Sequence, residues 1–403
     1  MGEGHSLSAA HPPTLQRELE ASLPLQEFDR RMLLRTLELA ERGRGCTRPN
    51  PVVGSVVVRE GRVLSEAHHV AVGEDHAEVA ALKAAAPGQP APTFGGRLRG
   101  TTVYVSLEPC SHFGRTPPCA DLLVQAGVTR VVVAAVDPSA KVAGKGIQRL
   151  RSAGVDVVVD EGDICYRARR QNDAFRTWAV TGRPFVTYKY AMTLDGCVAT
   201  AARHSQWISG EESRREAHRL RASLDAIVVG SGTLHADNSR LTARDVPAIA
   251  QPLRIVLDPR LSLRSDSALV RTAAEGPVLC ICGPQAPESR VREVAGWGVE
   301  VVSVPADAAG RPLPQEVAVL LGRREVQSLL LEGGPTVAGA WWKAGLIDRI
   351  VAFVAPVIVG GAGLGPFGGC GSQRMDQAGR LRDVTTAQFG RDVAVSGYVR
   401  EPL

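Results

Sequence analysis

The 403-residue chain has no apolar run near the roughly 20 residues needed to cross a bilayer. Its longest, VVVAAV (131–136) and RIVAFVAPVIVGG (349–361), are strand-length or broken by proline and glycine. No basic start followed by an apolar stretch precedes the first domain, so no secretory signal and no membrane partner are expected. The protein is expected to be cytoplasmic. Aromatic residues make up only 4%, poor material for stacking unpaired bases, and the net charge of +5 is spread rather than clustered. Nucleic acid is therefore not the expected partner, whereas a phosphorylated small molecule is. Eight cysteines are too sparse for a secreted disulfide scaffold. In a reducing compartment, two close cysteines point instead to metal or catalysis. Also missing is a G-x-G-x-x-G fingerprint after the first strand of a domain.

What is present is ordinary globular composition, 44% hydrophobic and 22% charged, over a length that calls for two domains. Residues 1–24 are polar and read as a flexible tail. Residues 29–42 place apolar side chains at helical spacing. VVGSVVVREGRVLSEAHHV reads as two strands joined by a turn, and HAEVAALKAAA as a helix ending at Pro87 and Gly88. TTVYVSL, PCADLLVQAG, TRVVVAAV, GKGIQRLRSAG and VDVVV continue the alternation of strand and helix. One polar, Arg-rich helix is expected between 163 and 184, as the junction to a second α/β series. The fold class is α/β in two domains, 25–172 and 173–403, each a layered sandwich.

In the first domain His76 and Glu78 open a helix as HAE, and Cys110 and Cys119 bracket the loop EPCSHFGRTPPCAD. One imidazole and two thiolates suit Zn2+ and leave a fourth position for water, which the metal acidifies. Glu78, beside a ligand without being needed as one, can take that water's proton and pass it to a leaving amine. This is the zinc deaminase pattern H-x-E with P-C-x-x-C, except that eight residues separate the cysteines. Each fragment alone recurs by chance; their joint occurrence in order, at helix starts, does not read as accident. His112, between the thiolates, is the alternative ligand, but it has no glutamate beside it. A structural zinc would want four protein ligands and leave Glu78 without a role.

TRPNPVVGSVVV, HAEVAAL and VSLEPCSHFGRTPPCADLLVQAGVTRVVVAAVDP closely resemble the deaminase half of the bifunctional riboflavin-biosynthesis deaminase/reductase family. The eight-residue insert SHFGRTPP is itself typical of that family. The resemblance implies a cytidine-deaminase-like three-layer domain that hydrolyses 2,5-diamino-6-(5-phosphoribosylamino)pyrimidin-4-one. It implies metal ligands His76, Cys110 and Cys119, catalytic Glu78 and substrate-binding Asn50; His69 and Lys145 are candidate ligand contacts, with surface solvation as the equal alternative.

The second domain offers glycine turns after predicted strands, VGSGTLHAD and LLLEGGPTVAGAWW. Such turns need glycine for backbone reasons alone, so they are weak signals. YKYAMTLDG, SQWIS, VVGSGTLHADNSRLTAR, RIVLD and LEGGPTVAGAWWKAGLID, however, run in the order of the same family's reductase half. The resemblance implies a dihydrofolate-reductase-like α/β domain in which NADPH reduces the ribosyl group to ribityl. By position Ala191, Trp207, Thr233, Asp237 and Gly334 would bind the cofactor. Ser205, Arg221, Leu241, Arg244 and Glu332 would bind substrate, the arginines supplying forked donors for a phosphate. Ser239 and Val357 depart from the family's usual proline and lysine. A deaminase-only or pathway-specialised protein with a divergent second half is the alternative, and a homo-oligomer is expected.

Overall fold

The structure, a computed structural model, describes residues 25–111, 117–139, 142–369 and 371–403. The expected tail and His112 lie outside the described residues.

The first domain runs α1 (Glu27–Glu41), β1 (Gly54–Arg59), β2 (Arg62–His68), α2 (Ala77–Ala85), β3 (Thr102–Val105), α3 (Cys119–Gln125), β4 (Arg130–Val133), α4 (Lys145–Ser152), β5 (Asp156–Val159) and α5 (Asp163–Gln171). Its five strands lie in the order β2-β1-β3-β4-β5, with β1 antiparallel to both neighbours and β3, β4 and β5 parallel. Strand periodicity sorts the valines onto two faces. Val57, Val103, Val105, Val131 and Val133 pack with Leu82 of α2, Leu123 of α3 and Leu150 of α4. Val56, Val58, Tyr104 and Val132 pack with Leu33 and Leu37 of α1 and Ile164 of α5. Helices thus cover both faces in three layers, and each such side chain contributes roughly 1.5–3 kcal/mol by leaving water. One buried polar group fixes α1 on the sheet. Asp29 accepts two hydrogen bonds from the Arg130 guanidinium (2.8 and 2.9 Å) and one from the Tyr104 hydroxyl (2.7 Å). Against the cost of burial, these partners hold the Asp29 carboxyl below the usual carboxylate range.

The junction differs from the single helix expected. It is two helices, α5 and α6 (Asp173–Thr181), broken at Asn172. Asn172 leaves helical geometry at φ −109° and ψ 23°, and its side chain is committed to Val52. The amide nitrogen donates to the Val52 carbonyl, and its oxygen accepts from the Val52 N–H, both at 3.0 Å.

The second domain continues with β6 (Phe185–Thr193), α7 (Glu211–Ser223), β7 (Ala226–Gly230), α8 (Ser231–Asp237), β8 (Leu253–Leu257), α9 (Ala268–Arg271), β9 (Val278–Cys282), α10 (Glu288–Ala295), β10 (Glu300–Ser303), α11 (Pro314–Arg323), β11 (Ser328–Leu331), α12 (Pro335–Lys343), β12 (Arg349–Ala355), β13 (Arg382–Phe389) and β14 (Asp392–Tyr398). Nine strands lie in the order β10-β9-β8-β7-β11-β6-β12-β14-β13, parallel except for the terminal hairpin β13–β14. Both faces are again covered, one by α11 and α12 and the other by α8, α9 and α10.

The two domains share a polar seam. Arg170 of α5 stacks on the Tyr398 ring at 3.9 Å and pairs with Asp383 at 2.9 Å. Trp178 of α6 donates its indole N–H to the Gly322 carbonyl at 2.9 Å. A Cβ on Gly322 would lie 1.7 Å from the Gly182 carbonyl oxygen, so only glycine lets α11 approach the junction this closely.

Candidate active sites

The first site gathers at the starts of two helices. His76 immediately precedes α2 in extended geometry, and Cys119 is the first residue of α3. Cys110 ends the segment after β3. His76 Nδ1 lies 3.3 Å from Cys119 Sγ and 3.7 Å from Cys110 Sγ, and the Cys119 N–H donates to Cys110 Sγ at 3.3 Å. The three ligand atoms lie within 4.8 Å of one another. Among the described residues this is the one group of three or more His, Cys, Asp or Glu side chains able to hold a metal ion. One nitrogen and two sulfurs are a donor set that fits zinc and leaves a coordination position open.

The charges inside the cluster are coupled. A hydrogen bond from the Cys119 thiol, reinforced by His76, pulls Cys110 down to about 4 despite burial. The proton stays on Cys119, pushed well up by that same bond and by burial. Cys110 raises His76 to about 9. Glu78, almost fully enclosed, is raised by burial to about 7.

Beside this cluster, Asn50 Nδ2 donates to His69 Nε2 at 3.1 Å. His69 therefore carries its proton on Nδ1, which donates to the Asp75 carbonyl at 3.0 Å. Burial lowers the His69 pKa, in keeping with a neutral ring. That ring meets His76 edge-on, with centroids 5.4 Å apart. Lys145 opens α4, next to Gly146.

Glu108, within the EPC motif, is a residue that motif reading passed over. Its carboxylate accepts four backbone N–H bonds, from Asp137 (3.2 Å), Gly144 (2.9 Å), Gly146 (2.9 Å) and Ile147 (3.2 Å). A Cβ on Gly146 would fall 2.0 Å from the Pro109 carbonyl, so α4 presses directly against the segment that carries Cys110. Nothing in the spacing of EPC distinguishes this anchoring role from chemistry.

The second site lies at the carboxyl ends of parallel strands, where such sheets bind ligands. Glu332 follows β11, which lies between β7 and β6. It accepts from Arg221 of α7 through both oxygens, at 3.0 Å from Nε and 2.6 Å from Nη2. Burial alone would raise Glu332, but Arg221 and Lys189 overcome it and hold the carboxyl at about 2. Burial lowers the Lys189 ammonium, with Glu332 opposing. Arg244 donates to Thr242 Oγ1 at 2.9 Å, and Arg221 to the Thr242 carbonyl at 3.3 Å. Thr242 thus links the two arginines.

On the other side, the Gly334 N–H at the start of α12 donates to Thr233 Oγ1 of α8 at 3.1 Å. Asp237 ends α8 and is hydrogen-bonded to Gln206. Trp207 is 69% exposed, with Arg214 over its ring at 4.8 Å. Ser205, in the same loop, is half-buried, and Ala191 on β6 packs against Val351 and Phe353.

Two placements qualify the simple lining expected from sequence. Leu241 is almost fully enclosed, its side chain part of the core and its backbone in the left-handed region at φ 56°. Arg221 is not a free fork, because Glu332 takes its bidentate edge.

A partly buried imidazole and two-sulfur cluster in a three-layer domain is thus joined to a mainly parallel sheet with charged groups at its strand ends, two sites on one chain. The family model "Cytidine and deoxycytidylate deaminase zinc-binding region" matches residues 26–135, and "RibD C-terminal domain" matches 184–395. "Riboflavin biosynthesis protein RibD" of Aquifex aeolicus is 38% identical over 92% of this chain and 98% of its own. The Escherichia coli protein of the same name is 35% identical over 91% and 98%. Among solved structures, Acinetobacter baumannii RibD superposes with a TM-score of 0.79 at 33% identity, covering 92% of this chain and 99% of its own. A diaminohydroxyphosphoribosylaminopyrimidine deaminase/5-amino-6-(5-phosphoribosylamino)uracil reductase from Thermotoga maritima gives 0.77 at 30%, covering 92% and 98%.

The chain belongs to the RibD family, the bifunctional deaminase/reductases of riboflavin biosynthesis, with zinc serving the first domain and NADPH the second. Both halves match, which disfavours the deaminase-only alternative. Among the described residues, no helix is long and apolar enough to cross a membrane.

Proposed function

We propose that residues 25–172 deaminate 2,5-diamino-6-(5-phosphoribosylamino)pyrimidin-4-one and that residues 173–403 then reduce its ribosyl group. The observation that carries this reading is the His76, Cys110 and Cys119 cluster with buried Glu78 beside it. Zinc held by His76, Cys110 and Cys119 would supply a Lewis acid able to activate water for attack on the ring carbon bearing the amine. Glu78 would accept the proton of the attacking water and return it to the departing ammonia, a task suited to a carboxyl raised towards neutrality. Asn50, its amide oriented by His69, holds the pyrimidine edge.

In the second domain Thr233, Asp237, Gly334, Ala191 and Trp207 form the NADPH side of the cleft. Ser205, Arg244, Arg221, Glu332 and Leu241 form the substrate side. NADPH supplies hydride to the sugar C1′. The residues position the two partners, which is most of what hydride transfer requires of a protein. Lys189 and Asp237 are the ionisable groups available to deliver a proton as the sugar ring opens. Glu332 accepts from the pyrimidine while Arg221 keeps it ionised, and Arg244 contributes to phosphate binding. The reading extends to a cytoplasmic homo-oligomer, which sedimentation and fractionation would test.

Supplying the diaminopyrimidine phosphate with and without NADPH tests both halves together. Ammonia should be released in either case, and reduced-nicotinamide absorbance should fall only after deamination. Absence of ammonia would refute the first assignment; ammonia without NADPH oxidation would refute the second.

A further inference from the structure

Asn50 sits on a strap, residues 47–51, that contacts the second domain. Arg48 Nη1 pairs with Asp225 Oδ1 at 2.8 Å, and its other Nη donates to the Ser223 carbonyl. Gln327 Nε2 donates to the Pro49 carbonyl at 2.6 Å. Asp225 and Gln327 immediately precede β7 and β11, at the amino ends of these strands, opposite the reductase cleft. They are tied to each other as well. Asp225 Oδ2 accepts from the Gln327 N–H (3.0 Å), the Ser328 N–H (2.8 Å) and the Ser328 hydroxyl (2.8 Å). The base of the reductase sheet therefore presents a fixed acceptor and a fixed donor to the two residues just before Asn50.

Packing holds the strap closely only at its start, where Thr47 is buried; residues 48–51 are half-buried. A cavity of about 80 Å³ lies between the domains, bounded by Arg48, Asn50, Asn172, Phe175, Asp225 and Gln327. On the deaminase side, Asn50 is held by its N–H to the Thr47 carbonyl (2.8 Å), by its own carbonyl, which accepts from the Thr47 hydroxyl (3.1 Å), and by its side chain to His69 (3.1 Å). A side chain that must meet a substrate with hydrogen-bond precision, on a strap beside a cavity, needs its backbone fixed from elsewhere.

We infer that Asp225 and Gln327, residues of the reductase domain, are positioning residues for the deaminase. Through Arg48 and Pro49 they set the strap so that Asn50 meets the pyrimidine. The inference rests on the assignment of Asn50 to substrate binding. Neither residue approaches the reductase cleft, so their influence falls on the other domain's reaction. The separate partners make the two ties distinguishable: a charge pair at Arg48 and a neutral hydrogen bond at Pro49.

The test uses the full-length zinc-loaded chain and the variants Asp225→Asn, Gln327→Ala, Arg48→Ala and Asn50→Ala, with Asp225→Asn also combined with each of the last two. Deaminase kcat and KM, zinc content and reductase KM are read for each. Asp225→Asn and Gln327→Ala should each raise the deaminase KM, roughly tenfold for the first and severalfold for the second. Deaminase kcat, zinc content and reductase KM should stay within about twofold of the parent, which general damage to the fold would not allow. Asp225→Asn should add nothing further in the Arg48→Ala or the Asn50→Ala background. If Asn50→Ala raises KM while Asp225→Asn and Gln327→Ala do not, the positioning inference alone fails. If Asn50→Ala leaves KM unchanged, the assignment of Asn50 fails and the inference with it. Additive effects in the double variants, or loss of zinc, also overturn the inference.

Discussion

The deaminase site and the reductase site spend their charged residues in opposite ways. In the first, the polar groups converge on a point between them: His76, Cys110 and Cys119 aim at one position, and Glu78 is enclosed next to it. In the second, charged groups have already found each other, as Arg221 closes on Glu332 through two hydrogen bonds and both arginines lean on Thr242. A convergent site is organised around something it must acquire. A self-paired site is organised before anything arrives, and its ligands must fit between or exchange with existing partners. Loss of one member should therefore act differently in each: on chemistry in the first, and on both chemistry and folding in the second.

The largest effect should come from Cys119→Ala. Ammonia release falls by at least about three orders of magnitude with loss of bound zinc, while NADPH oxidation with deaminated substrate persists. Elemental analysis beside the two assays checks this, and a parallel loss of reductase activity would break the separation of the sites. Glu78→Gln should keep zinc and fold yet slow deamination by about 10²–10⁴-fold, as expected for removal of a general acid–base. Retained zinc with unchanged turnover would return the cluster to a structural role.

Arg221→Ala leaves Glu332 buried and unpaired, and should destabilise the second domain by about 3 kcal/mol as well as impair reduction. Denaturant unfolding followed by domain-specific probes measures it; a purely kinetic defect would place Arg221 with the convergent kind of residue. An effect of similar size, confined to acid pH and so absent under neutral conditions, comes from Glu332. Because Glu332 is held at about 2, against a carboxylate in the unfolded chain near its ordinary value, it contributes stability above that ordinary value. The contribution, about 3 kcal/mol, drains away as pH falls towards 2. Glu332→Gln should flatten that stretch of the stability profile measured by urea titration, and an unaltered slope would show that Arg221 does not depend on this charge.

The same contrast explains what could be read from sequence. HAE and the two cysteines are few, chemically unusual residues at helix starts, so their pattern survives without the fold. The strand and helix alternation was equally legible, because buried strands such as GSVVVR carry their burial in composition. The hairpin β13–β14 escaped notice: RDVTTAQF is exposed at seven of its eight positions and has no apolar stripe to announce it. The break at Asn172 was missed because its cause, a double hydrogen bond to Val52, joins residues 120 positions apart. The reductase lining came from resemblance alone. Arginines on a polar helix look solvated until Glu332 is placed opposite one of them, 111 residues away.

Glu108 and Glu78 show how one side-chain type divides its labour. With four amides on its two oxygens, Glu108 has spent its accepting capacity on architecture. It serves as a keystone for the chain entering the metal-binding loop. A carboxylate swap between these positions would consequently not be a conservative rearrangement, although a motif search would score both simply as acidic residues. Tolerance at Glu108 should follow geometry, favouring no substitute of different length, whereas tolerance at Glu78 should follow acidity.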